Sequence, residues 1–351
     1  MTQGKNYHDQ ENINNTLKLR EITATLPPFS REFFLGIKEN TSPRTRLAYA
    51  YDLRVFFEYL HETNAFCKKY SSIMDFPIEI LDLIKPIDIT EYLDYLSYYL
   101  KEDKEYTNDE RGKSRKLASL RSFYHYYFIN EKIEKNPAEL VPMPKLHQKE
   151  IIRLDVDEVA ILLDQVEDGT NLTKKQLEFH KKTKIRDLAM MTLLLGTGIR
   201  VSECVGLDIN DVDFKNDGIL IRRKGGYEAV VYFGDEVRAA LLDYLEERHH
   251  IIPEEGHEEA LFLSLQNKRI SVRSVEKLVK KYAEAMTTLK KITPHKLRST
   301  YGTNLYRETG DIYLVADVLG HKDVNTTKKH YAALEDERRR QAAKVVKLRE
   351  Q

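Results

Sequence analysis

Residues 184–207 read KIRDLAMMTLLLGTGIRVSECVGL, and the way this stretch divides decides the fold. The run LAMMTLLLG (188–196) is apolar at nearly every position, which predicts a core helix over 184–196. It is too short to cross a bilayer, whose hydrocarbon core takes about 20 apolar residues. The Gly-Thr-Gly at 196–198 breaks it, and IRVSECVGL starts a second short helix. Arg200 heads that helix, with Glu203 three residues on and on the same face. Cys204 falls at an apolar position of the same helix and reads as packing.

Working outward, LDVDEVAILLDQV (154–166) opens with acidic residues and carries an apolar stripe, so a helical domain begins there. Downstream comes a hairpin: GILIRR (218–223), a turn around KGG (224–226), then YEAVVYF (227–233). DEVRAALLDYLEER (235–248) and SVRSVEKLVKKYAEAM (271–286) are predicted helices. Another starts with Thr293 as N-cap and Pro294 at its first position. DIYLVADVL (311–319) is a further helix, closed by Gly320 as a left-handed cap.

Ahead of this lies a second helical region. SPRTRLAYAYDLRVFFEYLHE (42–62) sets Leu47, Tyr51, Leu53, Phe56, Phe57 and Leu60 at helical spacing behind a Ser-Pro start. ITEYLDYLSYYLKE (89–102) and SRKLASLRSFYHYYFIN (114–130) continue the pattern, so this region is expected to be entirely helical. KNPAELVPMPKLHQKE (135–150) has three closely spaced prolines and then a polar run, the composition of a linker. At 351 residues the chain favours two domains. The expected fold is mainly α with a small β-hairpin in the second domain, an α+β class. The boundaries are an Asn-rich N-terminal arm (1–26) with at most one short helix, a helical domain (27–135), a linker (136–150), a second domain (151–334) and a C-terminal helix (335–351).

Composition narrows the class of function. Apolar residues make up 41% and charged residues 32%, as in a soluble globular protein. MTQGKNYHDQENINN (1–15) has no apolar core and is not read as a signal peptide. Two cysteines, Cys67 and Cys204, both in apolar patterns, point to buried thiols in a reducing compartment, and nothing requires a metal. The 56 basic and 56 acidic residues cancel, yet they are segregated. Residues 75–110 hold eleven acids against three bases, whereas 111–130 hold Arg111, Lys113, Arg115, Lys116 and Arg121 with no acid. Residues 268–307 hold eleven bases against Glu276 and Glu284. Charge runs are usually solvated faces, but two separate basic blocks suit a polyanionic partner.

Several residues carry little meaning singly. HKLR (295–298) puts His295 and Arg298 on one face near a helix start, where backbone N–H groups favour an anion. Lys224 tops the hairpin, His321 follows the glycine cap, and Tyr331 stands alone after Tyr313 in GHKDVNTTKKHYAAL (320–334). An H-x-x-R pair is most often a structural hydrogen bond, an arginine after glycine a surface group, and a hairpin lysine a solubilising one.

Together and in order, GTGIRVSE, a lysine in a β-turn, H-x-x-R, LGH and a tyrosine ten residues on resemble the catalytic series of the tyrosine recombinase (phage integrase) family, with an Xer-like cast. The resemblance covers about 150–340 and extends to 42–60, which looks like the opening helix of the family's core-binding domain. It implies a two-domain, C-shaped clamp on duplex DNA and a metal-free, ATP-free breaking and rejoining of strands, with no cofactor. By this resemblance Arg200 and Arg298 clamp the phosphate, a task that suits the planar guanidinium fork. His295 receives the tyrosine proton and His321 bonds the same phosphate or the phenol. Lys224 protonates the departing 5′ oxygen, Glu203 orients its neighbours, and Tyr331 attacks to leave a 3′-phosphotyrosyl link. Because His330 stands directly before Tyr331, the helical phase of the nucleophile is left open.

The expected backbone contacts to DNA are Lys113, Arg115, Lys116 and Arg121 in the first domain and Arg269, Arg273 and Lys277 in the second. The tail EDERRRQAAKVVKLREQ (335–351) offers Ala342, Val345, Val346 and Leu348 as a small apolar patch. The resemblance implies that it docks on a neighbouring protomer in a tetramer on paired sites. A cytoplasmic, nucleoid-associated enzyme with no membrane and no small-molecule substrate follows, acting in chromosome-dimer resolution at cell division or in the movement of an element. A type IB topoisomerase shares the chemistry, an inactive DNA-binding relative shares the fold, and a purely structural helical protein would leave the ordered motif unexplained.

Overall fold

The structure, a computed structural model, describes residues 6–146, 152–223, 226–286 and 290–320. The chain divides into two compact units, Met1–Lys149 and Glu150–Gln351.

The first unit contains α1 (Tyr7–Thr23), α2 (Ser30–Gly36), α3 (Pro43–Thr63), α4 (Ile80–Leu83), α5 (Pro86–Tyr95), a strand pair β1 (Tyr99–Lys101) and β2 (Lys104–Tyr106), α6 (Glu110–Ile129) and the one-turn α7 (Pro137–Leu140). The Ser-Pro start works as expected: Ser42 Oγ accepts from Thr45 N at 3.2 Å and Pro43 takes the first turn of α3. The core is largely aromatic. Phe33 and Phe123 pack edge to face at 5.0 Å, Phe56 and Tyr92 at 5.1 Å, and Phe123 and Tyr127 at 5.0 Å. Such pairs add about 0.5–1.5 kcal/mol beyond the area they bury. Much of the chain's tyrosine content is thereby absorbed as packing.

Three expectations for this unit change. Residues 7–23 form a full helix rather than a loose arm, capped by Asn6, and Leu19 and Leu26 are buried in the common core with Ile22 against it. The spacing Leu19, Ile22, Leu26 is an apolar stripe that the surrounding asparagines obscured. The unit is also not entirely helical. The pattern over 89–102 stops at Tyr95, and Tyr99–Tyr106 is an antiparallel hairpin with Lys101 opposite Lys104. Its two turn residues, Glu102 and Asp103, both have positive φ (50° and 59°), the geometry of a tight hairpin turn. Tyr99 stacks on Tyr95 and on Tyr106, which repays that strain. Lastly, the first part of the Pro-rich stretch packs on the unit: Pro137, Ala138 and Val141 are buried.

The second unit contains α8 (Val156–Asp168), α9 (Lys174–Thr197), α10 (Val201–Gly206), the three-stranded antiparallel sheet β3 (Val212–Asp213), β4 (Gly218–Arg222) and β5 (Glu228–Tyr232), then α11 (Asp235–His249), α12 (Val272–Met286), α13 (Pro294–Thr309) and α14 (Ile312–Leu319). The hairpin lies where the sequence puts it, with Leu220 opposite Val230. α9 starts ten residues before the expected point behind a Thr173–Gln176 capping box, and Gly198 at φ 64° ends it. Met190, Met191, Leu193 and Leu194 of α9 are all buried. A β-carbon at Gly198 would collide with the Tyr301 ring of α13, so the glycine serves both the left-handed turn and the approach of α13. The architecture is mainly α with small antiparallel sheets, the expected class. Among the described residues no helix is long and apolar enough to cross a membrane.

Candidate active site

α14 is the centre of the site although none of its side chains is expected to do chemistry. Asp311 caps its start, accepting from Tyr313 N at 2.8 Å and Leu314 N at 3.1 Å, and Gly320 at φ 63° closes it. The last carbonyls of a helix lack intrahelical partners and carry the negative end of its dipole. Here three arginines supply partners. Arg223 donates from Nη1 to the Asp317 carbonyl at 3.5 Å and from Nη2 to that of Val318 at 2.9 Å. Arg298 donates from Nη2 to the Leu319 carbonyl, and Arg200 from Nη2 to that of Gly320 at 3.3 Å.

Each arginine comes from a different element. Arg200 is the N-cap of α10. Its backbone N–H donates to Glu203 Oε2 at 2.7 Å, and its Nη1 donates to Oε1 of the same carboxylate, also at 2.7 Å. Glu203 is buried, so its orientation fixes that of Arg200. Arg298 sits on α13 and is 6% exposed; its Nη1 donates to the carbonyl of Gly198 at 2.7 Å, tying α13 to the end of α9. Thus the glycine break, the short helix behind it and H-x-x-R meet in space. His295, three residues before Arg298 on α13, is exposed. Burial raises the pKa of the neighbouring Tyr301 phenol, so it stays protonated.

Cys204 is fully buried and its thiol is pushed up to about 12 by burial first and then by Glu203, which agrees with a packing role. Among the described residues no group of three or more His, Cys, Asp or Glu side chains could hold a metal. Lys224, His321 and Tyr331, and the tail with Ala342, Val345, Val346 and Leu348, lie outside the described residues. Their chain neighbours do not: Arg223 N donates to the Tyr227 carbonyl at 2.7 Å across the hairpin end, and Gly320 directly precedes His321.

The expected DNA contacts divide in two. Lys116 is buried and donates to Asp52 Oδ1 at 3.0 Å; Arg115 pairs with the other oxygen of the same buried carboxylate while half its side chain faces solvent. Arg121 holds the end of the first unit, donating to the carbonyls of Ala138 at 3.2 Å and Val141 at 2.6 Å. Arg269 donates to the carbonyls of Val205 at 3.0 Å and Leu207 at 2.7 Å and pairs with Asp208. Lys116, Arg121 and Arg269 are therefore engaged in the fold's own interior, which a basic run in sequence does not reveal. Lys113 bonds Ser97 Oγ at 2.6 Å near the surface, and Arg273 and Lys277 are exposed on α12. Arg223 was passed over by the sequence reading; an arginine beside a hairpin lysine looks like another solvated charge.

A mainly helical unit with one small antiparallel sheet, which ends α9 on a glycine, orients one arginine through a buried glutamate and buries a second beside it, is the catalytic unit of a tyrosine recombinase. The sequence model of the phage integrase family matches residues 153–338, more than half of the chain, and the chain belongs to that family. A tyrosine recombinase XerC of Caldanaerobacter subterraneus subsp. tengcongensis is 36% identical over 343 residues, covering 93% of this chain and 90% of that protein. A tyrosine recombinase XerC of Leptospira interrogans serovar copenhageni is 32% identical, covering 84% of this chain and 85% of that protein. Among solved structures, XerH site-specific recombinase bound to palindromic difH substrate in a post-cleavage complex has a TM-score of 0.63 at 20% identity, covering 87% of this chain and 80% of that one, a likeness of fold. The chain is accordingly a tyrosine site-specific recombinase of Xer type.

Proposed function

We propose that the protein binds duplex DNA and exchanges strands through Tyr331, with Arg200 and Arg298 as the phosphate clamp. The observation that carries this reading is that these arginines, 98 positions apart, reach the consecutive carbonyls of Leu319 and Gly320, directly before His321 in the chain. A guanidinium has five N–H donors, so one that caps a carbonyl can still hold a phosphate oxygen. The Tyr331 oxygen attacks the scissile phosphorus; its proton passes to His295 and the O–P bond forms. The P–O5′ bond breaks, Lys224 gives its proton to the leaving oxygen, and a 3′-phosphotyrosyl link and a free 5′ hydroxyl remain. His321 bonds the phosphate, and the two guanidiniums hold the charge that grows on its non-bridging oxygens. The new ester conserves the energy of the broken one, so rejoining by a 5′ hydroxyl reverses each step without ATP.

Exposed Arg273 and Lys277, with Lys113 and the outward half of Arg115, are the better phosphate contacts of the seven expected. The segment 335–351 docks on a neighbouring protomer in a tetramer on two paired sites. A cytoplasmic enzyme that separates chromosome dimers, with a place in partition and cell division, fits the Xer-type relatives; integration and excision of an element uses the same chemistry.

The test is a nicked suicide duplex, drawn in parallel from the host chromosome and from the ends of any element that carries the gene. The wild type should form an SDS-resistant adduct at the 3′ end and Tyr331→Phe none. An adduct with Tyr331→Phe removes Tyr331 as nucleophile, and no wild-type adduct on any duplex removes the reading.

A further inference from the structure

Arg223 has no part in the mechanism above, yet it occupies a singular place. It is the last described residue before Lys224, and its side chain lies on Gly320, the last described residue before His321. A β-carbon on Gly320 would collide with Arg223 Nη1 and Cζ. The glycine therefore does more than end α14: it leaves room for the Arg223 guanidinium against the helix terminus. From there Arg223 donates to the Asp317 and Val318 carbonyls, next to the carbonyls held by Arg298 and Arg200. Its Nε is buried and meets no acceptor among the described residues. Its backbone is equally fixed, since Arg223 N donates to Tyr227 O at 2.7 Å and Arg223 O accepts from Gly226 N at 3.1 Å. The residue thus joins the open end of the β4–β5 hairpin to the end of α14 with hydrogen bonds on both sides.

We infer that Arg223 is a positioning residue for strand cleavage: it ties the chain directly before Lys224 to the end of α14, whose last carbonyls Arg298 and Arg200 hold. This deepens the proposed mechanism and rests on Lys224 as the general acid. A hairpin tip that is held only by its own strands sweeps a wide arc, and a misplacement of about 1 Å at a reacting group costs on the order of a hundredfold in rate. Solubility cannot explain a guanidinium bonded to two carbonyls over a glycine.

The test compares wild type, Lys224→Ala, Arg223→Ala, Arg223→Lys and Gly320→Ala on two suicide duplexes, one normal and one with sulfur in place of the scissile 5′ oxygen. A thiolate leaves without a proton donor, so the sulfur substrate bypasses the general acid. On the normal duplex Arg223→Ala should cleave about a hundredfold more slowly with little change in DNA affinity. Arg223→Lys, which keeps the charge but not the fork, should fall between. Gly320→Ala should match Arg223→Ala, and combining the two should add little. On the sulfur duplex Arg223→Ala and Lys224→Ala should both recover towards the wild-type rate, which a merely unfolded or loosened protein cannot do. If Lys224→Ala is not rescued, the assignment of Lys224 fails; if Lys224→Ala is rescued and Arg223→Ala is not, the role of Arg223 fails. Full activity of Arg223→Ala on the normal duplex also overturns it.

Discussion

The cluster around Asp52 in the first unit and the collar around the end of α14 in the second both gather cationic side chains, but they spend the charge differently. Asp52, 1% exposed, sits on α3 and takes Arg115 and Lys116 from α6, so two cations meet a full negative charge in the interior. At the collar three guanidiniums meet carbonyl dipoles, and Glu203 alone among the named groups is anionic. A carbonyl satisfies a donor without cancelling its charge. The first arrangement joins two helices through a charge pair; the second gathers guanidiniums on the carbonyls that end α14. The order of motifs sets Arg200 and Arg298 apart in the sequence, but neither the acceptors they use nor the burial of Lys116 against Asp52 can be read there.

The sharpest way to break this contrast is Arg298→Ala. If the collar stores charge for the transition state, cleavage falls by about a thousandfold, near the upper end of what one lost electrostatic contact costs. Arg298→Lys should recover little, because an ammonium cannot hold the Gly198 and Leu319 carbonyls and a phosphate oxygen together. Single-turnover cleavage with circular dichroism on the same preparations checks this. A variant that folds and cleaves normally would reduce the collar to a structural cap.

Asp52→Ala tests the other side. It leaves buried Lys116 without a counter-charge, so the first unit should lose about 3–5 kcal/mol in chemical denaturation. Adding Lys116→Met should return most of that loss, since an apolar group of similar volume needs no partner. The cleavage chemistry of the folded fraction should be unchanged. A large drop in cleavage at saturating DNA with stability intact would mean that this cluster also serves the reaction.

Much of this was readable beforehand, for physical reasons that differ by element. The break at 196–198, the hairpin at 218–233 and the caps at 293–294 and 320 are local, since glycine, proline and β-branched runs limit the backbone wherever they occur. Arg200, Glu203 and Arg298 were found because their order along the chain is distinctive. The Tyr99–Tyr106 hairpin was missed because its turn is Glu-Asp rather than a glycine pair, and its stability comes from tyrosine stacking across strands. The burial of Lys116 and the internal roles of Arg121 and Arg269 depend on partners up to 64 positions away, which no local pattern encodes.

Gly198→Ala is expected to act on both function and stability. The residue's φ of 64° and the nearby Tyr301 ring together should cost about 1–3 kcal/mol, measured by thermal unfolding. Cleavage should fall as well, because the Gly198 carbonyl is one of the two that hold Arg298. Tyr301→Ala in the same chain should relieve the steric part but not the backbone part, so partial recovery is the expected outcome. Complete recovery would show that the left-handed turn itself is cheap here.

The smallest effect concerns a carboxylate-centred cluster inside the second unit. Asp187 on α9 accepts from Thr183 Oγ1 at 2.9 Å and from the Tyr282 hydroxyl at 2.9 Å, with Arg186 and Lys281 beside it. His180 Nδ1 lies 3.0 Å from the Tyr282 hydroxyl oxygen, which joins the imidazole to this cluster. Burial first, and then the Lys281 charge, hold His180 below its ordinary pKa of 6.5. The unfolded chain therefore binds this proton at higher pH than the folded one. The stability it supports is complete above about pH 6.5 and drains away as pH falls through the depressed folded value. Denaturation midpoints taken between pH 8 and 5 should decline on the acidic side, and His180→Gln, which has no such proton to take up, should flatten that decline while lowering the plateau by about 1 kcal/mol for the altered hydrogen bond. An acid limb that persists unchanged in His180→Gln would move the pH sensitivity away from the Asp187 cluster.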